Sequence, residues 1–221
     1  MKKLITALLG LSLCGVPAFA EPNLQRNSVE ALGCMKLGEC TKDVYKITTI
    51  KQLDEFFVEQ WTAKNRTEID QLIKSSTAAG VELYLGPHRN FPVYHRGIYY
   101  TDANKMFLNM RYVADINVFI EVLRHEGWHA AQDCMAGSID NSLIGIIHDP
   151  ALIPEDVKQL TKLRYMDQRK AIPWEQEAIW AASIDGKTVE ALNVCAAGNM
   201  WETYEPTPKT REWLTKNGFI K

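Results

Sequence analysis

The chain has 221 residues, 46% of them hydrophobic and 24% charged, and its formal net charge is −2 at pH 7. This length is enough for one well-packed domain or a compact pair of lobes. The charged residues form no basic stripe, which argues against nucleic acid as a partner.

The first twenty residues have the composition of an export signal. Two lysines precede an apolar run that ends at Val16, and a small-residue Ala-Phe-Ala sequence ends at Ala20. We therefore predict a signal peptide over residues 1–20, cleaved near Ala20, and a mature chain that is periplasmic or secreted. Removal of the two lysines changes its net charge to about −4. The apolar run is shorter than the about 20 residues that a transmembrane helix needs, and no later segment supplies one, so we expect no stable membrane anchor.

Four cysteines follow this leader: Cys34, Cys40, Cys134 and Cys195. An even number in an exported protein favours two disulfides, and the spacing does not match a zinc knuckle. Three pairings are possible. We favour Cys34 with Cys40, because they would close a short glycine-containing loop, and this leaves Cys134 for Cys195.

No internal repeat, low-complexity segment or flexible linker divides the rest of the chain, so we predict a single domain over residues 21–221. Its first part, residues 21–43, should be irregular chain held by the first of these disulfides. The first predicted helix covers residues 49–61 and starts with a Thr-x-x-Gln capping-box sequence at Thr49. A second helix covers residues 66–79 and is closed by a glycine.

Beyond this glycine the periodicity changes twice. Short β-branched and aromatic runs, separated by turn residues, predict a small, mainly antiparallel sheet. These runs cover residues 81–86, 97–102 and 105–113. From Asp115 the pattern is helical again, with predicted helices at 116–133, 154–167, 173–184, 187–197 and 207–216. Helices, a compact sheet and further helices in this order indicate an α+β fold with a helical C-terminal part.

One stretch, EVLRHEGWHAAQDC, carries a candidate metal site. His125 and His129 are four residues apart, so on a helix both imidazoles face the same side and can bind one metal ion. Catalytic zinc sites keep three protein ligands and one position for water. Glu126 follows the first histidine and can take a proton from that water and deliver it to a leaving amine. The motif predicts a catalytic centre with one Zn²⁺ ion.

The alternative is an ordinary amphipathic helix with two structural histidines, since so short a pattern also arises by chance. Between Val122 and Ala131 the charged residues besides the histidines are Arg124 and Glu126. A solvated helix would carry more lysine and glutamate there, whereas a helix buried beneath an active site has this composition. The flanking residues therefore favour the metal site.

The motif resembles that of the zincin superfamily of HExxH metallopeptidases, over residues 122–131 and a later glutamate, which is about a tenth of the chain. The metzincin branch would require glycine and histidine three and six residues after His129. The chain has Gln132 and Met135 at these positions, which excludes that branch. The resemblance implies a zincin-like fold, in which an edge strand above the metal pairs with an extended substrate. Either of the last two predicted strands could supply that edge.

The gluzincin-like branch takes its third ligand from a glutamate on a downstream helix, often within Glu-x-x-Ala. The chain matches this with Glu175 in the ligand position and Ala178 as the small residue. Glu177 is the rival. Residues two positions apart on a helix differ by about 200° of rotation, so only one of the two carboxylates can face the metal. Both helix faces look buried, and it is the resemblance that favours Glu175. Glu177 would then contact a metal ligand without binding the metal itself.

Zincins also use a tyrosine, histidine or arginine to stabilise the developing oxyanion. The sequence offers four candidates without selecting among them: His148, Tyr165, Tyr204 and Arg111.

Taken together, the residues and the resemblance predict an exported zinc-dependent endopeptidase that acts on a peptide or protein substrate. One alternative is a non-catalytic binding module that keeps zinc as a scaffold, but such a module has no need of Glu126. The other alternative is a zinc hydrolase of a non-peptide amide, such as a cell-wall bond, which the same chemistry permits. Peptide cleavage is preferred by analogy.

Overall fold

The computed structural model describes residues 29–57, 61–137, 143–218 and 220–221. The predicted signal peptide, residues 1–20, lies outside these ranges. Within them the protein is α+β, as predicted, with a small four-stranded sheet and a helical C-terminal part. In the described part of the chain, every helix is too short or too polar to cross a membrane.

The sheet contains β1 Tyr45–Ile47, β2 Glu82–Gly86, β3 Gly97–Tyr100 and β4 Lys105–Asn109. Their order is β1-β2-β4-β3. The β1–β2 and β3–β4 pairs are antiparallel, whereas β2 and β4 are parallel. Two of the three pairs are thus antiparallel, as predicted, and the parallel pair makes the sheet mixed. The parallel pair arises because the chain leaves β2, forms β3, and returns through the β3–β4 hairpin to lie beside β2. This leaves β3 at the edge of the described sheet.

The N-terminal part is more helical than predicted. Helix α1, Val29–Leu37, lies where irregular chain was expected; its sequence is apolar nearly all round and so shows no helical period. By contrast, the predicted helix at 49–61 is observed as a short 3₁₀ helix, Ile50–Glu55, within the described residues, and positions 58–60 lie outside them. Its predicted start is right, since the Gln52 side chain accepts a hydrogen bond from Thr49 N at 2.9 Å. The aromatic side chains that follow leave the helix to pack on β1 and on a later helix.

The remaining helices follow the sequence pattern closely. They are α2 Ala63–Ala78, α3 Ile116–Met135, α4 Glu155–Arg164, α5 Ile172–Ala182, α6 Lys187–Ala196, α7 Met200–Thr203 and α8 Pro208–Lys216. The short helix α7 was not predicted. Helix α3 begins at an Asp115 cap, whose carboxylate accepts from Asn117 N at 2.8 Å and Val118 N at 3.2 Å. This cap sets the start of the helix that carries the HExxH motif.

Helix α3 lies at the centre of the packing. One side packs with α2 and the sheet, through Phe119 and Leu123 among others. The other side packs on α5 and α6, where Trp128 and Ala131 meet small alanine side chains. At Gly127 a Cβ atom would lie 2.9 Å from Thr188 Cγ2 on α6, so a glycine permits the close approach of these helices.

Both predicted disulfides are present. Cys34 and Cys40 close the loop after α1, and Cys134 joins the end of α3 to Cys195 on α6. The second disulfide therefore anchors the helix of the HExxH motif against the C-terminal helices.

Candidate metal centre and cleft

Helices α3 and α5 bring three potential metal ligands together. The Nε2 atoms of His125 and His129 are 3.2 Å apart. The carboxylate of Glu175 reaches them from α5, with Oε2 at 3.2 Å from His125 Nε2 and Oε1 at 3.6 Å from His129 Nε2. Ligand atoms about 2.0–2.2 Å from a tetrahedral zinc ion are roughly 3.3–3.6 Å apart. The spacing of the three groups therefore fits one metal ion of this size.

An unpartnered oxygen supports this fit. Glu175 Oε2 is buried and, among the described residues, no hydrogen bond to it is formed, although His125 Nε2 lies 3.2 Å away. A buried carboxylate oxygen rarely lacks a partner, since it then loses its hydration without compensation. A cation held between the rings and the carboxylate would compensate this oxygen.

The electrostatics of the cluster also favour a cation. Burial alone would lower the pKa of His129, but the facing Glu175 carboxylate outweighs this effect and raises the pKa to about 9. Burial alone would raise the pKa of Glu175, yet the two histidines, His129 first, hold it far below its usual range. The carboxylate thus stays ionised and favours positive charge where the three groups meet, whether a proton on the His129 ring or a metal ion in its place.

Glu177 does not join this cluster. Its side chain is 0% exposed and turns toward the loop after α3. The carboxylate accepts hydrogen bonds from His148 N at 2.5 Å and from Ile147 N at 3.1 Å. The geometry therefore places Glu175 with the histidines and gives Glu177 a different set of partners, as the rotation of about 200° between them requires.

Glu126 lies beneath the edge strand β3. It is 6% exposed, and burial raises its pKa above the usual value. A Cβ atom at Gly97 would lie 2.6 Å from Glu126 Oε1 and 2.8 Å from Val122 Cγ1, so only glycine lets β3 pass this close to α3. The hydroxyl of Tyr99 also donates to Asp133 Oδ2 at 2.8 Å, which fastens the strand to the helix. Strand and helix together hold the carboxylate of Glu126 in place.

A cleft of about 970 Å³ opens beside these residues, and both His125 and Glu126 line it. Its walls come from β3 and the preceding loop, from α3, and from parts of α2, α4 and α5. One wall is stiffened by Arg124, whose guanidinium pairs with Glu68 on α2 and with Asp185 beyond α5. Lys64 pairs with the same aspartate at 2.7 Å. The cleft therefore combines a rigid wall with two residues of the HExxH motif.

Comparison with known proteins assigns no family. No protein-family model, curated protein or solved structure matches this chain. The likeness to zincins thus rests on the HExxH motif and the carboxylate of Glu175. Function has to be argued from the chemistry of the site.

Of the four residues considered for the oxyanion, the structure brings one to the cluster. Tyr165 lines the cleft beside Glu175, and burial, reinforced by that carboxylate, raises the pKa of its hydroxyl well above the usual value. His148 instead packs against Tyr204 and contacts Glu177 with Nδ1 at 3.1 Å. The backbone N–H of Arg111 donates to an asparagine side chain near the end of β4. Within the described residues, the lining of the cleft includes Tyr165 but not the other three.

Two residues that shape the site belong to no motif. Gly97 gives no signal in the sequence, because its role depends on a strand and a helix that meet only in the folded chain. Gln132 contacts His129 and Glu177. Its position one turn after His129 places it on the same helix face, which is the signal that could have indicated a contact.

Proposed function

We propose that this chain is an exported zinc-dependent endopeptidase in which His125, His129 and Glu175 bind one Zn²⁺ ion. The observation that carries the proposal is the spacing of the two imidazole nitrogens and the Glu175 carboxylate, whose nearest atoms lie 3.2–3.6 Å apart, around an oxygen that otherwise lacks a partner. Glu126 follows the first ligand and lines the cleft, where a substrate would bind.

A bound zinc ion supplies Lewis acidity, which lowers the pKa of water and polarises the scissile carbonyl. Glu126 accepts the proton that this water loses as its oxygen attacks the carbonyl carbon. Glu126 then delivers the proton to the nitrogen of the leaving amine when the C–N bond breaks. Its burial suits this role, because a raised pKa makes the carboxylate a stronger base.

Tyr165 is the proposed oxyanion donor. It lines the cleft next to Glu175, and its raised pKa keeps the hydroxyl protonated. The O–H can therefore donate to the carbonyl oxygen as negative charge develops there.

The edge strand β3 is the proposed substrate-binding element. It pairs with β4 along one side, and in the described ranges no strand covers its other side. The strand passes directly over Glu126, with Gly97 at the closest approach. An extended peptide that adds to this edge by main-chain hydrogen bonds would place its own backbone beside the catalytic carboxylate.

Two disulfides support the proposal of export, because such bonds persist mainly in oxidising compartments. A scaffold that only binds zinc would not need Glu126 in a cleft. A hydrolase of non-peptide amides would use the same groups, so a substrate panel has to separate it from a peptidase.

The proposed function can be tested on the purified mature protein. We expect one zinc ion per chain by elemental analysis and cleavage of a mixed protein substrate. A chelator should abolish the cleavage and added zinc should restore it. Zinc binding with no cleavage of proteins or of cell-wall fragments would indicate a binding module. Failure to bind zinc after metal loading would indicate that the two histidines have a structural role and are not metal ligands.

Replacing Tyr165 by phenylalanine should lower kcat by about 10²–10³-fold, the usual effect of removing one donor to an oxyanion. KM and zinc content should change little, because the donor acts mainly on the charge that develops in the transition state. Steady-state kinetics on a peptide substrate measure both constants. Tyr204→Phe is the matched control, since that tyrosine packs on His148 rather than lining the cleft. An equal loss of kcat in both variants would contradict the assignment.

A further inference from the structure

The side-chain amide of Gln132 has a defined orientation. Its nitrogen, Nε2, lies 2.7 Å from Glu177 Oε2 and 3.2 Å from Trp174 O, and both of these atoms accept hydrogen bonds. The amide oxygen must therefore be the atom that faces His129 Nδ1, at 2.8 Å. Gln132 is 0% exposed, so bulk solvent does not reach these contacts.

This orientation determines the tautomer of His129. An amide oxygen can only accept, so Nδ1 of the ring must carry a proton and donate it. With Nδ1 protonated, Nε2 is the nitrogen whose lone pair can bind a metal ion, which takes the place of the proton there. Nε2 is the atom that faces His125 and Glu175. Gln132 thus presents to the proposed metal the one ring nitrogen that can bind it.

Glu177 holds Gln132 in turn. The fully buried carboxylate accepts from Gln132 Nε2 and from the backbone N–H groups of Ile147 and His148. The same loop is also tied to α3, where Gly145 N donates to the backbone oxygen of Gln132 at 2.8 Å. A single buried carboxylate on α5 therefore holds both the backbone of residues 147–148 and the amide next to His129.

We propose that Gln132 and Glu177 are positioning residues that form a relay behind His129 and strengthen zinc binding without touching the metal. The inference rests on the proposed zinc site. A partner of this kind orients a histidine ligand and raises its basicity, and its removal typically lowers metal affinity about 10–100-fold.

The test compares three substitutions in the full mature chain. Gln132→Met removes the relay but keeps an unbranched side chain of similar length. Gln132→Glu should restore it, because two adjacent carboxyl groups share one proton and can still donate to Glu177 and accept from His129. Gln176→Met is the matched control. Gln176 is a buried glutamine on the same helix as Glu177, but its amide donates to Lys158 O.

The zinc dissociation constant, measured by competition with a chromogenic chelator, should rise about 10–100-fold in Gln132→Met. It should stay close to the wild-type value in Gln132→Glu and Gln176→Met. Thermal unfolding of the metal-free proteins should show Gln132→Met to be the less stable methionine variant, because Gln132 bonds His129, Glu177 and Trp174 O whereas Gln176 bonds Lys158 O. Zinc affinities are therefore compared at a temperature at which every variant is folded, which separates positioning from a loss of stability. Wild-type zinc affinity in Gln132→Met would overturn the relay and leave the zinc site standing. Failure of the wild type to bind zinc would overturn both.

A second measurement needs no variant. In the zinc-loaded wild type, nitrogen-resolved NMR of the histidine rings should show a proton on His129 Nδ1 that is protected from exchange by its hydrogen bond. A His129 bound to zinc through Nδ1, or an Nδ1 proton that exchanges as fast as that of an exposed ring, would overturn the relay even if no Gln132 variant folds.

Discussion

Replacing Glu126 by glutamine should lower kcat by about 10²–10⁴-fold and leave zinc bound, since this is the usual contribution of a positioned general base. Glutamine has nearly the shape of glutamate, so the packing beneath β3 is kept, but its amide cannot take the proton of the attacking water. The three proposed ligands are unchanged. Zinc content by elemental analysis and single-turnover cleavage of a peptide substrate measure the two effects separately.

Glu121→Gln is the matched control for this experiment. Glu121 lies on the same helix and lines the same cleft, but its carboxylate is exposed and faces Arg96 at 3.7 Å. The kcat of Glu121→Gln should stay near that of the wild type, because an exposed ion pair contributes little to the stability of the fold. Full hydrolytic activity in Glu126→Gln would contradict the catalytic role, even if the protein binds zinc.

Alanine substitutions at Glu175 and Glu177 should differ in their main effect. Glu175→Ala should lose more zinc affinity, and Glu177→Ala should lose more stability. Glu175→Ala removes the proposed third ligand, so zinc should be lost on dialysis. Glu177→Ala should weaken zinc binding only indirectly, but it leaves the N–H groups of Ile147, His148 and the Gln132 amide buried without their acceptor. Each unsatisfied buried group costs about 1–3 kcal/mol, so the free energy of unfolding should fall by about 3 kcal/mol or more.

Urea unfolding of the metal-free variants and zinc titration of the folded ones test this ranking. We expect Glu177→Ala to be the less stable variant and Glu175→Ala the weaker zinc binder. If Glu177→Ala alone released the metal, the third ligand would be misassigned. If both variants kept wild-type zinc affinity, the proposed position of the metal site would be wrong.

Much of the fold was predictable where structure depends on local pattern. The helix of the HExxH motif, predicted at 116–133, is observed as Ile116–Met135, because its apolar period extends over several turns and an aspartate caps its start. Strand β1 was missed, since three residues are too few to show an alternation. The predicted helix at 49–61 was too long, because its aromatic side chains gain more by packing on β1 and α3 than by continuing the helix. Tertiary packing there outweighed helical propensity.

The site shows the same division between local and tertiary information. The sequence by itself determined that His125, Glu126 and His129 lie together on one turn, because the helical repeat is set by backbone geometry alone. It also determined that Glu175 and Glu177 point to different sides of α5. Which of these carboxylates faces the histidines depends on how α5 is rotated against α3.

That rotation was decided by the tertiary structure alone, since it results from packing between residues distant in the chain. The same packing brings Tyr165 rather than His148 to the cleft, and places β3 over Glu126 at Gly97. It also joins Gln132 to Glu177, which are 45 positions apart. Spacing along a single helix therefore specified the motif, whereas contacts between helices, strand and loop decided that Glu175 faces the histidines and which residues surround the cluster.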